Sequence, residues 1–269
     1  MRNIMIGIPS MNRSHRLESL RWVEKTEIDY RLFVHDEEAS QYGKVVSREH
    51  LFHYEYNGES LGEQKDIIVQ YARRAGYQYC VVCDDDISCI KERCGVTAGG
   101  YAKMREAENY HSVIPNMLEM MTNHDLSVVG TLRTRFNVLG FAPEVNLVIP
   151  HLGPEFIVID LDKVKVGYFA GTWKCDTQGF LLAIMKSNGT QSVAVTTKYA
   201  HDTPQSGSKG NLEGGLATIA GLAEKTYAEA SRLNKMFPEW TRVSEFRDSN
   251  KVTLYHLAFR YKEMQQRKI

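Results

Sequence analysis

Three consecutive carboxylates, Asp84, Asp85 and Asp86, follow five residues suited to a buried strand, Tyr79-Cys80-Val81-Val82-Cys83. Adjacent acids repel one another and gain nothing from an apolar core, so a shared cation is expected to hold them together. A strand that presents paired Asp side chains at its carboxyl end can bind a hard divalent ion, and the ion can bind the phosphates of a nucleotide. Residues two apart on an extended chain face the same way. Asp84 and Asp86 are therefore the expected ligands for Mn²⁺ or Mg²⁺, and Asp85 is expected to face elsewhere, toward ribose or sugar. The plain alternative is a solvated acidic turn. Ligands in open α/β sheets bind beyond the carboxyl ends of strands, which favours the ion.

Other polar residues have two readings each. Cys80 and Cys83 form a C-x-x-C, but inside a strand and without a second pair they read as buried free thiols. Ser206–Gly210 is a polar, Gly-rich run containing Lys209, either a phosphate-binding loop or a flexible connection. Arg133 and Arg135 alternate after a strand and share a face, as phosphate or acceptor contacts or as rim charges. Trp173 either stacks on a sugar ring or packs.

The elements around these residues alternate. Ile4–Ile8, Tyr30–His35, Leu51–Tyr56 and Tyr79–Cys83 read as strands. Helices are expected from Ser14 to about Lys25 and from Leu61 to Gly76. This order predicts a mostly parallel, doubly wound α/β sheet flanked by helices. Further strands are expected at Leu126–Thr131, Phe156–Leu161, Ser192–Thr197 and Val252–Tyr261. Lys91–His111 reads as a lid loop hinged at Gly99-Gly100, followed by a helix through Met121. Phe180–Met185 reads as helical, and a long helix is expected from Asn211 to Phe237.

The order of these motifs over residues 3–205 resembles the nucleotide-sugar-dependent glycosyltransferases of the GT-A fold, most closely the large family 2 type. The resemblance implies a Rossmann-like domain over 1–205, with a C-terminal helical extension over 206–269 packed on it. It implies a metal-dependent transfer of a sugar from a nucleoside-diphosphate sugar, expected to be a UDP-sugar, to an acceptor hydroxyl. On that reading Pro9, Ser10, Asn12 and Arg13 lie in the loop near the nucleotide, and Asp36 touches the base. Lys65 is the basic residue of the helix before the metal strand, Asp84-Asp85-Asp86 carries the D-x-D motif, and His201 is a late metal ligand. Asp176 is the catalytic base of an inverting reaction, although Cys175 stands where the family usually has a first acid. In a retaining reaction Asp176 would instead position sugar or acceptor. Lys209 would add a point charge at the diphosphate.

The acceptor is the least legible part. Lys+Arg and Asp+Glu each total 33, so no global charge favours nucleic acid. The last 35 residues nevertheless carry eight basic and four acidic side chains. Transfer to hydroxymethylated pyrimidines in DNA, as in the phage and kinetoplastid group, is therefore a second reading. A nucleotidyltransferase and a non-catalytic nucleotide-sugar binding module are further ones. No run approaches the ~18 apolar residues of a membrane span, the N-terminus reads as a strand, and five cysteines are an odd count, so a cytoplasmic protein is expected.

Overall fold

The computed structural model of the chain describes residues 3–55, 60–134, 145–147, 155–204, 221–247 and 253–259. The first half contains β1 (Ile4–Pro9), α1 (Leu20–Val23), β2 (Tyr30–His35), α2 (Ala39–Tyr42), β3 (Leu51–Tyr54), α3 (Leu61–Arg74) and β4 (Tyr79–Cys83). Then follow β5 (Cys89–Val96), β6 (Ala102–Glu106), α4 (Tyr110–Asn123), β7 (Val128–Arg133), β8 (Val145–Leu147) and β9 (Phe156–Asp160). The described chain ends with α5 (Asp176–Asn188), β10 (Val193–Asp202), α6 (Leu222–Met236), β11 (Thr241–Arg247) and β12 (Thr253–Phe259).

Ten strands form one mixed sheet in the order β3-β2-β1-β4-β9-β7-β10-β5-β6, with β8 added beside β10. The β3-β2-β1-β4 portion is parallel, as expected from the alternating first half. The chain reverses its direction of travel across the sheet between β1 and β4, which opens a crevice at their carboxyl ends. Alternation along the strands feeds two cores. Met5, Cys80 and Val82 face one side with Ile68, Phe180 and Leu181, while Ile6, Ile8, Val81 and Cys83 face the other with Trp22, Ile114 and Met117. Both faces are thus buried, which explains why these strands read as continuous apolar runs.

Four expectations are corrected. β9 runs antiparallel to both β4 and β7, so the sheet is mixed beyond β4. The helix expected from Ser14 shrinks to α1 and a following 3-10 turn, because Ser19 and Arg13 are drawn into contacts with the acidic segment. The expected lid is a β-hairpin: β5 and β6 pair at the sheet edge, and Gly99-Gly100 forms its turn, with Gly100 at φ +80°. The C-terminal region holds a two-stranded antiparallel sheet, β11-β12, as well as the helix α6, which packs against it. Asn211 to Ala220, the expected first part of that helix, lies outside the described residues.

Among the described residues no helix is long and apolar enough to cross a membrane. All five cysteines are free, and burial pushes the Cys80 thiol up to about 12, as suits an inert core thiol.

The join between α3 and the loop before α5 has no spare room. α3 starts with a reciprocal cap in which the Ser60 hydroxyl accepts from the Glu63 N–H and the Glu63 carboxylate accepts from the Ser60 N–H. The Gly62 N–H donates to the Thr172 carbonyl at 2.8 Å. A Cβ on Gly62 would stand 1.9 Å from Thr172 Oγ1 and 2.5 Å from the Phe169 carbonyl oxygen. Gly62→Ala is therefore expected to cost roughly 1–3 kcal/mol in urea unfolding. A loss below about 0.5 kcal/mol would show that the loop yields without cost.

Candidate functional site

The acidic segment leaves β4 at the crevice and turns at once. Asp85 and Asp86 form a turn, so the side chains of 84 and 86 are not aligned by a strand pleat. The turn is fixed from α1: the Ser19 hydroxyl donates to the Asp84 carbonyl at 2.5 Å and accepts from the Ile87 N–H at 3.1 Å. The Trp22 indole N–H donates to the Ile87 carbonyl at 3.0 Å. Each acid then faces a different neighbour.

Asp84 faces α3. Lys65 is 2% exposed because it shares the buried stripe of Ile68, Val69 and Ala72. Its Nζ lies 2.9 Å from Asp84 Oδ1 and 2.8 Å from Asp176 Oδ2. Asp84 Oδ1 is shielded from solvent, and among the described residues its polar contact is the Lys65 ammonium. Burial raises the Asp84 carboxyl to about 6, with Lys65 opposing the shift and Glu155 and Asp176 adding to it. Burial alone would lower the Lys65 ammonium, but Asp176 and Asp84 hold it well above its ordinary value.

Asp85 turns back to the loop after β1 and is 5% exposed. It accepts from the Ser10 hydroxyl and from Arg13 Nη1 at 2.6 Å, and Ser10 also bonds the Tyr42 hydroxyl at 2.8 Å. Among the described residues Asp86 is paired only with Arg13, at 3.5 Å. Burial, with Asp84, Asp85 and Glu155 close by, pushes its carboxyl up to about 7. Asn12, with φ at 56°, donates its N–H to Glu38 Oε1 at 2.8 Å. Pro9 is the last residue of β1, paired opposite Phe33. Asp36 follows β2 as an exposed residue paired with His53.

The antiparallel direction of β9 contributes an acid that parallel reasoning could not place. Phe156 pairs with Cys83, so Glu155 lies opposite Asp84, whose N–H donates to the Glu155 carbonyl at 3.0 Å. The Glu155 side chain is bound twice by Arg133 and contacts His201 Nε2 at 3.2 Å. Burial would raise this carboxyl, but His201 and Arg133 pull it down to about 2. His201, 1% exposed, also bonds Thr131 Oγ1 through Nδ1 at 2.7 Å. Both of its ring nitrogens thus have partners within the fold. Lys209 and Arg135 lie outside the described residues.

Asp176 opens α5 and is 5% exposed, next to Thr177, whose hydroxyl donates to Asp176 Oδ2 at 3.2 Å. Tyr168, stacked on Phe180 with centroids 4.0 Å apart, adds a buried hydroxyl with no hydrogen-bond partner among the described residues; burial pushes it well above its ordinary value, with Lys65 opposing the shift. The loop leading into α5 is held by Glu229 of α6, a residue without a short-range sequence signal. Trp173 is only 8% exposed, under the Lys225 ammonium at 5.2 Å, so it packs.

Among the described residues, Asp84, Asp85, Asp86, Glu155 and Asp176 stand against Arg13, Lys65 and Arg133, so carboxylates exceed permanent cations by two. Among the described residues no group of three or more His, Cys, Asp or Glu is placed to hold a metal by itself. A nucleotide-bound Mg²⁺ needs only one or two protein carboxylates, the rest coming from phosphate and water. Asp84, with its shielded Oδ1, and Asp86, the least compensated acid, fit that requirement.

No protein family model and no curated protein matches the chain. Among solved structures it is similar to the crystal structure of a mycobacterial protein, with 12% identity over 99% of this chain and 88% of that one and a TM-score of 0.52. It also matches a putative nucleotide-diphospho-sugar transferase from Desulfovibrio desulfuricans G20, with 13% identity over 73% of this chain and 79% of that one, at a TM-score of 0.38. The first similarity shows a shared fold, and the second is too low to carry an argument.

Proposed function

We propose that the chain is a metal-dependent glycosyltransferase that moves a sugar from a nucleoside diphosphate, with UDP as the expected carrier, to an acceptor hydroxyl. The observation that carries this reading is the excess of two carboxylates at the switch-point crevice, where α/β sheets bind nucleotides. Asp84 and Asp86 would hold Mn²⁺ or Mg²⁺, which when bound supplies Lewis-acid stabilisation of the departing diphosphate. Arg13 lies on the nucleotide side, where its guanidinium can meet a phosphate oxygen once a cation shares Asp85 and Asp86. Lys65 holds Asp176 through Oδ2. Asp176 is then the group to take the acceptor proton in an inverting reaction.

A thermal-shift screen of nucleotide sugars with and without Mn²⁺ tests the reading. A UDP-sugar at 100 times its Kd should stabilise the protein by about 2.7 kcal/mol, and only with metal present. Asp84→Asn combined with Asp86→Asn should abolish the response. A response confined to nucleoside triphosphates would sink the proposal.

The charge excess has a signature without any ligand. The Asp86 carboxyl is raised to about 7 in the folded chain, against about 3.9 when unfolded. Between those values the folded state holds more protons, so this group's contribution to stability falls as pH rises. Asp86→Asn is expected to raise Tm by a few °C, roughly, at pH 8 and to leave it nearly unchanged near pH 4. Equal shifts at both pH values would show that Asp86 is already compensated.

A further inference from the structure

The carboxylate of Glu229 is buried and titratable, and the chemistry above makes no use of it. It is 2% exposed on the inner face of α6. Its Oε1 accepts from the Trp173 N–H at 3.0 Å and from the Cys175 N–H at 2.7 Å, and Oε2 accepts from the Lys174 N–H at 3.3 Å. Three consecutive backbone donors thus converge on one carboxylate at the residues entering α5. The Cys175 side chain makes no cap of its own, and Glu229 binds the backbone N–H of this N-cap residue and of the two residues before it, fixing the entry to α5 rather than its first turn. Burial raises the Glu229 carboxyl to about 7, with the three N–H groups opposing and Asp176 adding to the rise.

The same stripe of α6 holds the rest of this loop. Arg232 donates to the Ala170 carbonyl, Lys225 covers the Trp173 ring, and Leu233 packs where a Cβ on Gly179 would stand 3.0 Å away. From the other side, Ser60 Oγ accepts from the Thr172 N–H at 3.1 Å. The residue after this clamped stretch is Asp176, 2.8 Å from Lys65.

We propose that Glu229 is a positioning residue: by fixing the Trp173–Cys175 backbone from α6, it sets Asp176 against Lys65. The role rests on the reading of Asp176 as a reacting carboxylate. A buried carboxylate is an expensive backbone clamp, and its placement one residue before Asp176 gives that cost a use. Reacting groups must be held close to their productive geometry, and a displacement of 1 Å caused from a distance can cost on the order of 100-fold in rate.

The test compares Glu229→Ala, Glu229→Gln and wild type for turnover of a panel of UDP-sugars with Mn²⁺, and for amide hydrogen exchange without ligand. Glu229→Ala should lower kcat by at least about tenfold while KM for the donor moves less than about threefold. Glu229→Gln retains an oxygen for the Trp173 and Cys175 donors and should recover kcat to within about threefold of wild type. Exchange at the Trp173, Lys174 and Cys175 amides should rise in the Ala variant and return toward wild type in the Gln variant. If Glu229→Ala does not fold, Glu229→Asp, which withdraws the carboxylate by one methylene, replaces it with the same expectation. An active wild type with an unaffected kcat in the Ala or Asp variant overturns the positioning role alone. A Gln variant as impaired as the Ala variant also overturns it. A wild type inert toward every UDP-sugar, while amide protection still depends on Glu229, overturns the reading of the site and leaves Glu229 a clamp of the fold.

Discussion

One buried ammonium joins the parts on which the crevice depends. Lys65 comes from α3, Asp84 from the end of β4 and Asp176 from the start of α5, and the three meet within 2.9 Å of Lys65 Nζ. Desolvating a lysine is costly, and only close carboxylates offset it. Removing one partner of such a pair typically costs about 3–5 kcal/mol, because the other charge is left buried. The stripe on α3 that carries Ile68 and Ala72 into the apolar core is the same stripe that carries Lys65 to the acids. Core packing and site geometry are therefore set by one helix rotation.

Around that ammonium the acids are compensated unequally. Asp85 has Arg13 and Ser10, Glu155 has Arg133 and His201, and Asp176 has Lys65 and Thr177. Among the described residues Asp86 has only a longer contact to Arg13. The directions follow: Glu155 is drawn down to about 2, whereas Asp86 is pushed up to about 7. The fold thus spends its cations on the acids that hold the crevice together. The uncompensated charge is left on the side chain that is 22% exposed at its mouth.

Legibility followed the range of the interactions. β1, β2 and β4 are local apolar runs with both faces buried, and their alternation with α3 is enough to place a switch point. The acidic triplet was visible because unfavourable local charge is a sequence-level signal. Glu155 was not: β9 reads as a strand from its residues alone, but only its direction decides whether Glu155 lies beside Asp84 or at the far end of the sheet. Direction is a tertiary fact that the strand's own composition does not carry. His201 was visible as a late histidine, yet the Thr131 and Glu155 partners that occupy its ring nitrogens come from two other strands. Glu229 acts 54 residues beyond Cys175, and on α6 it looks like any helical glutamate. The hairpin of β5 and β6 reads as a lid because Lys91, Arg93, Lys103 and Arg105 give it the polarity of a loop, which suits β6 as the edge strand of the sheet.

The turn after β4 shows why the acids can be kept so close without dispersing. Its carbonyls and N–H groups are bound by Ser19 and Trp22 from α1 and, one residue further, by the bond from the Ser88 N–H to the Asp202 carbonyl at 2.8 Å. Beyond Ser88 the chain enters β5, already paired to β10 through Ile90 and His201. A flexible acidic turn would relieve its repulsion by splaying its side chains into water. This one is fixed at both ends and along its backbone, so its repulsion persists as a field directed into the crevice. The proposed cation would meet carboxylates whose backbone is already fixed, so that only their contacts with Arg13 and Lys65 need to be shared.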